Sequence, residues 1–198
     1  MTNNVNLYSM RPTILVKNGL LKKYVEFFSK KLKTSIDSET YDRFVIQSYK
    51  KYINLRRNWP PYISSSPPRS SDKFTYNWDR ISNEYYEKGA KKYISSDFLI
   101  DEGQDISSDF FLLLKLINKN TMTIFMDEYQ TIFDTYRQQS TSHELTSRGI
   151  VETEVKYLTY NYRNTDAIAT VAKHFFTGPP EAAPKIPKRK GDIPQIIN

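Results

Sequence analysis

The chain has 198 residues, 38% of them hydrophobic, and a formal net charge of +7. That length supports one sizeable core and one or two domains. No apolar run reaches the ~20 residues of a membrane-spanning helix, the opening MTNNVNLYSMRP lacks the regions of a signal peptide, and without cysteine there is neither disulfide scaffold nor thiolate metal site. A soluble cytoplasmic protein without a membrane partner is the expectation.

In chain order, RPTILVKN predicts a short buried strand, apolar and β-branched, punctuated by Asn18 and Gly19. A helix follows, with Leu20, Leu21, Tyr24, Val25, Phe28 and Leu32 at helical spacing and lysines on the remaining surface. Residues 37–58 read as helical again. NWPPYISSSPPRSSDK, with four prolines and a serine cluster, breaks the pattern and predicts an exposed connection. A further helix is expected over about residues 77–93. From there the rhythm is strand, helix, strand: DFLID is a buried strand, Ser107 can cap a helix whose body FFLLLKLI is apolar nearly all round, and TMTIFMD is a second buried strand. VKYLTYNYRN predicts a third strand running into a turn, and Thr165 caps a helix with Ile168, Val171, Ala172, Phe175 and Phe176 on one face. Alternating buried strands and helices predict a parallel α/β sheet. The tail GPPEAAPKIPKRKGDIPQIIN holds five prolines and reads as a linker.

Charge is spread unevenly. Residues 1–95 sum to +10, residues 96–180 to −5 and residues 181–198 to +2. A basic first half suits a polyanion, and a lysine-rich solvated surface gives the same pattern.

Three polar clusters fall where each strand ends, the position at which open α/β sheets bind ligands. They are Asp101, Glu102, Gln104 and Asp105 after FLI, Asp127 to Gln130 after TIFM, and Asn161 to Thr165 after KYLTY. Carboxylates this close destabilise one another unless a cation or donors sit among them. The residue types suit nucleotide phosphate chemistry. Mg²⁺ takes one or two carboxylates together with phosphate, a second carboxylate can activate a water, a glutamine can bridge that water, and an arginine can neutralise the transferred phosphoryl group. His143 and His174 have no companion pattern that points to a metal.

FLIDEGQDIS, TIFMDEYQTIF and YLTYNYRNTDAIATVAKHF resemble, in order and spacing, motifs II, III and IV of the UvrD/Rep-type superfamily 1 helicases, and PTILVKNGLLKKYVEFF looks like their motif Ia. The resemblance implies a partial RecA-like, P-loop NTPase type of α/β fold: a parallel sheet with flanking helices and a helical insertion. Residues 1–34 would be its first strand–helix unit, 35–93 the insertion with a Pro/Ser-rich loop at 59–72, 94–180 the rest of the domain, and 181–198 a linker towards a missing second domain. It implies ATP and Mg²⁺ as cofactors and single-stranded DNA as partner. Asp101 would hold the metal and Glu102 would activate water. Gln104 and Asp105 would couple the site to neighbouring motifs. Gln130 would sense the γ-phosphate, Tyr162 would stack on adenine, and Arg163 would contact the γ-phosphate. Lys17, Asn18 and Phe133 or Tyr136 would lie near the nucleic acid.

The chain departs from that family in one decisive respect. None of its six glycines is followed by Lys and then Ser or Thr, so the phosphate-cradling loop G-x-x-x-x-G-K-[ST] is absent. Met126 also precedes Asp127 where the family has glycine. The expectation is a partial ATPase core, inactive alone and completed by a second polypeptide or missing segments. The alternative is a catalytically incompetent module that binds single-stranded nucleic acid or a partner protein.

Overall fold

The computed structural model describes residues 12–54, 66–71, 75–87, 94–127, 141–151, 155–178, 180 and 183–192. The chain divides into two units, Met1–Val151 and Glu152–Asn198.

The first unit is built on four parallel strands, β1 (Thr13–Val16), β2 (Asp37–Thr40), β3 (Phe98–Ile100) and β4 (Met122–Ile124), in the order β2-β1-β3-β4. The register sets Thr13 beside Phe98 and Phe98 beside Met122, then Leu15 beside Ile100 and Ile100 beside Ile124. Parallel neighbours in register share a face, so Leu15, Phe98 and Ile100 present one apolar surface. Helices α2 (Tyr41–Tyr49), α3 (Trp78–Glu87) and α4 (Ser108–Ile117) complete the core against it. The expected α/β class with a parallel sheet and flanking helices is therefore what forms.

Helix α4 is capped as its sequence predicts, Ser107 Oγ accepting from the Asp109 N–H. It buries Phe110, Phe111, Leu113, Leu114 and Ile117, as a helix apolar on most sides must. Phe110 lies among the rings of Tyr41, Phe44, Trp78 and Phe111, with centroids 4.8 to 6.1 Å away. Helices α2 and α3 thus share one core with the sheet. Between them, Tyr49 donates to the Glu84 carboxylate, and burial together with that bond pushes the phenol above its ordinary pKa. The described end of the proline-rich stretch folds back on this core: Ser70 N–H donates to Thr75 O (2.9 Å), and the Arg69 guanidinium sits 3.7 Å from the centre of the Tyr76 ring.

Helix α1 (Gly19–Lys31) lies on the other side of the sheet, where Ile14 of β1 and Ile36 share a groove with Leu21, Val25 and Phe28. Helix α5 (Ser142–Ser147) is anchored by buried Leu145 and by Arg148, which bonds Asp109 at 2.5 Å. Among the described residues no helix is long and apolar enough to cross a membrane.

Several elements differ from the sequence expectation. Residues 37–40 form strand β2 rather than the start of a helix, paired with β1 from Thr13 opposite Asp37 to Val16 opposite Thr40. Its polar DSET sequence suits a sheet edge, where tertiary pairing outweighs local propensity. Helix α2 continues through Lys50–Asn54 as a π-helical turn. Helix α3 is described from Trp78 to Glu87, and the rest of the helix expected to about residue 93 lies outside the described residues.

In the second unit, the strand expected from VKYLTYNYRN is absent. Residues 155–159 are irregular, and Tyr160 makes a single parallel bridge to Lys185. One bridge does not make a ladder, and residues 155–158 are exposed, without the burial that would favour a strand there. Helix α6 (Asp166–Lys173) does form, capped by Thr165, and buries only Ala169; Ile168, Val171 and Phe175 are exposed. The tail runs along its start: Asp166 N–H donates to Arg189 O (2.8 Å), and Lys190 pairs with the Asp166 carboxylate at 2.7 Å. Gly191 passes so close that an added Cβ would lie 2.3 Å from Thr165 Cγ2. The Lys190 bond is the main reason the Asp166 carboxyl sits below the usual carboxylate range. A depressed carboxyl contributes its stability fully above the unfolded Asp value of about 3.9 and loses it as pH falls through the lower native value. An NMR titration should therefore show Asp166 moving up toward the ordinary range in Lys190→Ala, the backbone bonds from Ala167 and Gly191 still holding it down in part; an unchanged titration would show that the tail is not held by this pair.

Candidate active site

Parallel strands place all their carboxyl ends on one edge of the sheet, and the polar residues follow directly from that. Lys17 comes immediately after β1, Asp101 after β3, and Asp127 three residues after β4. Asp101 continues the ladder by one bond, its N–H donating to Leu15 O at 3.0 Å. Its side chain and that of Glu102 are partly exposed, at the mouth of the sheet.

The chain then turns sharply. Glu102 adopts φ 55° and ψ 44°, the left-handed region that a residue with a Cβ enters at a cost. That reversal lets the Gly103 N–H reach Phe125 O at 2.8 Å, joining the ends of β3 and β4. The approach leaves no room for a side chain. A Cβ on Gly103 would stand 2.4 Å from Ile124 Cγ2 and 3.3 Å from Phe125 O. Sequence reasoning did not single out Gly103; a lone glycine between carboxylates at a strand end was the available signal. Strain of this kind persists where the surroundings over-determine it. Replacing Glu102 tests this cleanly. Both Glu102→Gly and Glu102→Ala lose the carboxylate, but only glycine is relaxed at positive φ. Glu102→Gly should be the more stable by about 1 kcal/mol in urea unfolding; equal stabilities would show that the turn stores no strain.

Gln104 is only 2% exposed and spends both ends of its amide locally. Its Nε2 donates to Glu102 Oε2 at 2.6 Å, and its Oε1 accepts from the Asp127 N–H at 3.0 Å. One side chain therefore fixes the direction of the Glu102 carboxylate and the path of the chain leaving β4. Lys17 pairs with the Asp105 carboxylate, tying the end of β1 to the turn after β3. This cation answers part of the repulsion that Asp101, Glu102 and Asp105 would otherwise create.

The structure thus brings together Lys17, Asp101, Glu102, Gln104, Asp105 and Asp127. Asn18 is committed to capping α1, its Oδ1 accepting from Leu21 N–H at 2.9 Å. Gln130, Phe133 and Tyr136 lie outside the described residues. Tyr162 and Arg163 belong to the second unit. There, Asn161 Oδ1 accepts from Asn164 N–H at 3.1 Å and shapes the turn. Tyr162 is 85% exposed, its ring stacked on Tyr160 at 6.0 Å between centroids.

Among the described residues no three acidic or histidine side chains group into a ready-made metal cage. Mg²⁺ seldom uses such cages; one carboxylate with substrate phosphate oxygens and water is enough. Asp101 offers one partly exposed carboxylate at the end of β3. No family model matches this chain, and no curated protein or solved structure matches it either.

Proposed function

We propose that this chain is the partial ATPase core of a superfamily 1, UvrD/Rep-type helicase motor with a RecA-like sheet, lacking the phosphate loop and completed by another polypeptide or segment. One observation carries the reading most: buried Gln104 holds Glu102 and the chain at Asp127 together at the carboxyl edge of a parallel sheet, beside Asp101. A buried amide spent on orienting a carboxylate is a positioning arrangement of the kind phosphoryl transfer demands.

In this reading Asp101 would hold Mg²⁺ brought with a nucleotide, which would supply charge neutralisation to the phosphates. Glu102, aimed by Gln104, takes the proton of the attacking water. Lys17 holds Asp105 and keeps the turn after β3 closed. Without the G-x-x-x-x-G-K-[ST] loop whose amides cradle phosphates, turnover is not expected from this chain alone. Mg·ATP should bind in the high micromolar to millimolar range by fluorescence of a labelled nucleotide. Asp101→Ala should weaken that at least tenfold, and phosphate release should stay at background. Robust phosphate release stimulated by DNA and lost in Glu102→Gln would overturn the incompleteness. Binding unaffected by Asp101→Ala would overturn the site.

The alternative reading, a module that binds single-stranded nucleic acid without catalysis, is favoured by one feature of the second unit. The exposed, stacked rings of Tyr160 and Tyr162, with Lys185 Nζ 4.5 Å from the Tyr160 ring centre, combine π faces with positive charge. It requires oligo-dT binding that falls steeply with salt and is indifferent to Asp101→Ala.

A further inference from the structure

The two outer strands of the sheet are built differently. On one side stands β2, whose DSET sequence carries charge: Glu39 pairs with Lys22 at 3.0 Å and with Arg43 at 3.5 Å. Charged side chains of that sort discourage a further strand. On the other side stands β4. From Asn120 to Met126 the sequence NTMTIFM holds no charged residue and no proline. Neither of those guards of an open edge is there.

The backbone of β4 is half used. Phe98 N–H donates to Thr121 O at 3.0 Å, and Phe125 N–H donates to Ile100 O at 2.8 Å. Both backbone groups of a strand residue point to the same side, and the side alternates along the chain. Thr121, Thr123 and Phe125 therefore face β3, while the N–H and C=O groups of Met122 and Ile124 face outward. Among the described residues no strand lies there to pair with them. The side chains of Met122, Ile124 and Met126 pack against the core but are only partly buried, and Phe125 is 43% exposed. An uncharged, apolar strand of this type is what a parallel sheet usually sets between two neighbours.

We propose that the β4 edge receives a parallel strand of the completing polypeptide or segment, β-branched or apolar and ending in a glycine turn that carries a lysine. The identity of that turn rests on the helicase-core reading above; the addition of a strand rests on the β4 backbone alone. An extended chain is the occupant that answers a row of outward donors and acceptors, whereas a helix spends its backbone groups on itself. A parallel strand brings its carboxyl end to the same tips as β3 and β4, beside Asp127 and two strand spacings, roughly 10 Å, from Asp101. Charge there favours a cation: Asp101, Glu102, Asp105 and Asp127 stand with Lys17, which is itself paired with Asp105. A phosphate loop is a strand, a glycine-rich turn with its lysine, and a helix, so it can add at this edge without displacing any described element. A second copy is disfavoured. Two-fold symmetry would set β4 antiparallel to β4, against the all-parallel pattern, and would leave the acidic tips unanswered.

The test is amide hydrogen exchange by NMR on the full chain, with the acetylated peptide TVTVTGKG as probe. In the free chain the amides of Met122 and Ile124 should exchange at least tenfold faster than those of Thr123 and Phe125. The peptide at millimolar concentration should slow Met122 and Ile124 at least tenfold and leave the other two nearly unchanged. TVTVTGEG, and GKGTVTVT with its lysine at the wrong end, should each bind at least tenfold more weakly. Two N-methylated versions of the probe, blocking alternate N–H groups in the two possible settings, should differ, one of them losing binding. Met122→Pro removes an outward N–H that β3 does not use; it should abolish binding and keep the protection of Thr123 and Phe125. If that variant does not fold, the N-methylated peptides decide the matter on the parent chain. Slow exchange of Met122 and Ile124 in the free chain, equal binding of all the peptides, or undiminished binding of both N-methylated versions would overturn the proposal. So would self-association in sedimentation that Met122→Pro abolishes. Mg·ATP binding and its loss in Asp101→Ala are measured without peptide, so failure of the strand addition and failure of the nucleotide site are read separately.

Discussion

Phe110→Ala should destabilise the first unit by about 3–5 kcal/mol, the largest effect of any substitution considered. Phe110 is 1% exposed and stands where α4 meets α2, α3 and the sheet. Its ring contacts Tyr41 edge-on at 4.8 Å and lies 6.0 Å from Trp78 and 5.7 Å from Phe111. Truncation removes the burial of a whole aromatic side chain, several favourable ring pairs, and the filler of a site that rigid neighbours cannot close. In urea unfolding the midpoint should fall with little change in slope, since the surface exposed on unfolding is nearly the same. A cost below about 1 kcal/mol would mean that the aromatic cluster is not the organising core.

The second large effect concerns Gln104. Gln104→Leu keeps the volume but removes both amide functions, leaving the Asp127 N–H without its acceptor and the Glu102 carboxylate without its donor. Stranding partly buried polar groups in this way costs about 2–3 kcal/mol. Gln104→Glu separates the two bonds. It retains an acceptor for Asp127 N–H but sets a carboxylate against Glu102, which like-charge repulsion opposes. Both variants should be less stable than wild type in urea, and Gln104→Leu should also lose the response to Mg·ATP. If Gln104→Leu is as stable as the parent and still answers Mg·ATP, the amide is neither a structural bridge nor a positioning residue.

These two residues illustrate what the sequence reveals and what it hides. Strands β1, β3 and β4 were legible because each is a short apolar, β-branched run stopped by a polar or glycine turn. Helix α4 was legible because Ser107 announces its start and its apolar body leaves it nowhere but the interior. Strand β2 was not, because DSET has no strand propensity and exists as a strand through pairing with β1. The reverse held at residues 155–160, where apolar and β-branched residues have only the Tyr160 bridge in place of a ladder.

The candidate site divides in the same way. Asp101, Glu102, Gln104 and Asp105 could be placed at a strand end from hydrophobic patterning alone. That Gln104 folds inward to join Glu102 to Asp127 depends on a side-chain conformation, which no spacing rule reports. The need for glycine at position 103 depends on Ile124, a residue 21 positions away on a neighbouring strand. Lys17 was expected near nucleic acid, and its pairing with Asp105 follows from the adjacency of β1 and β3.

The most direct test of a nucleotide site at the strand tips is an amide NMR titration of the full chain with Mg·ATP. The account predicts shifts concentrated at Asp101 to Asp105 and at Asp127, reduced in Asp101→Ala and absent when ATP is replaced by adenosine. No shifts at those amides at millimolar nucleotide, with oligo-dT shifting other residues instead, would contradict it and leave nucleic-acid binding as the function.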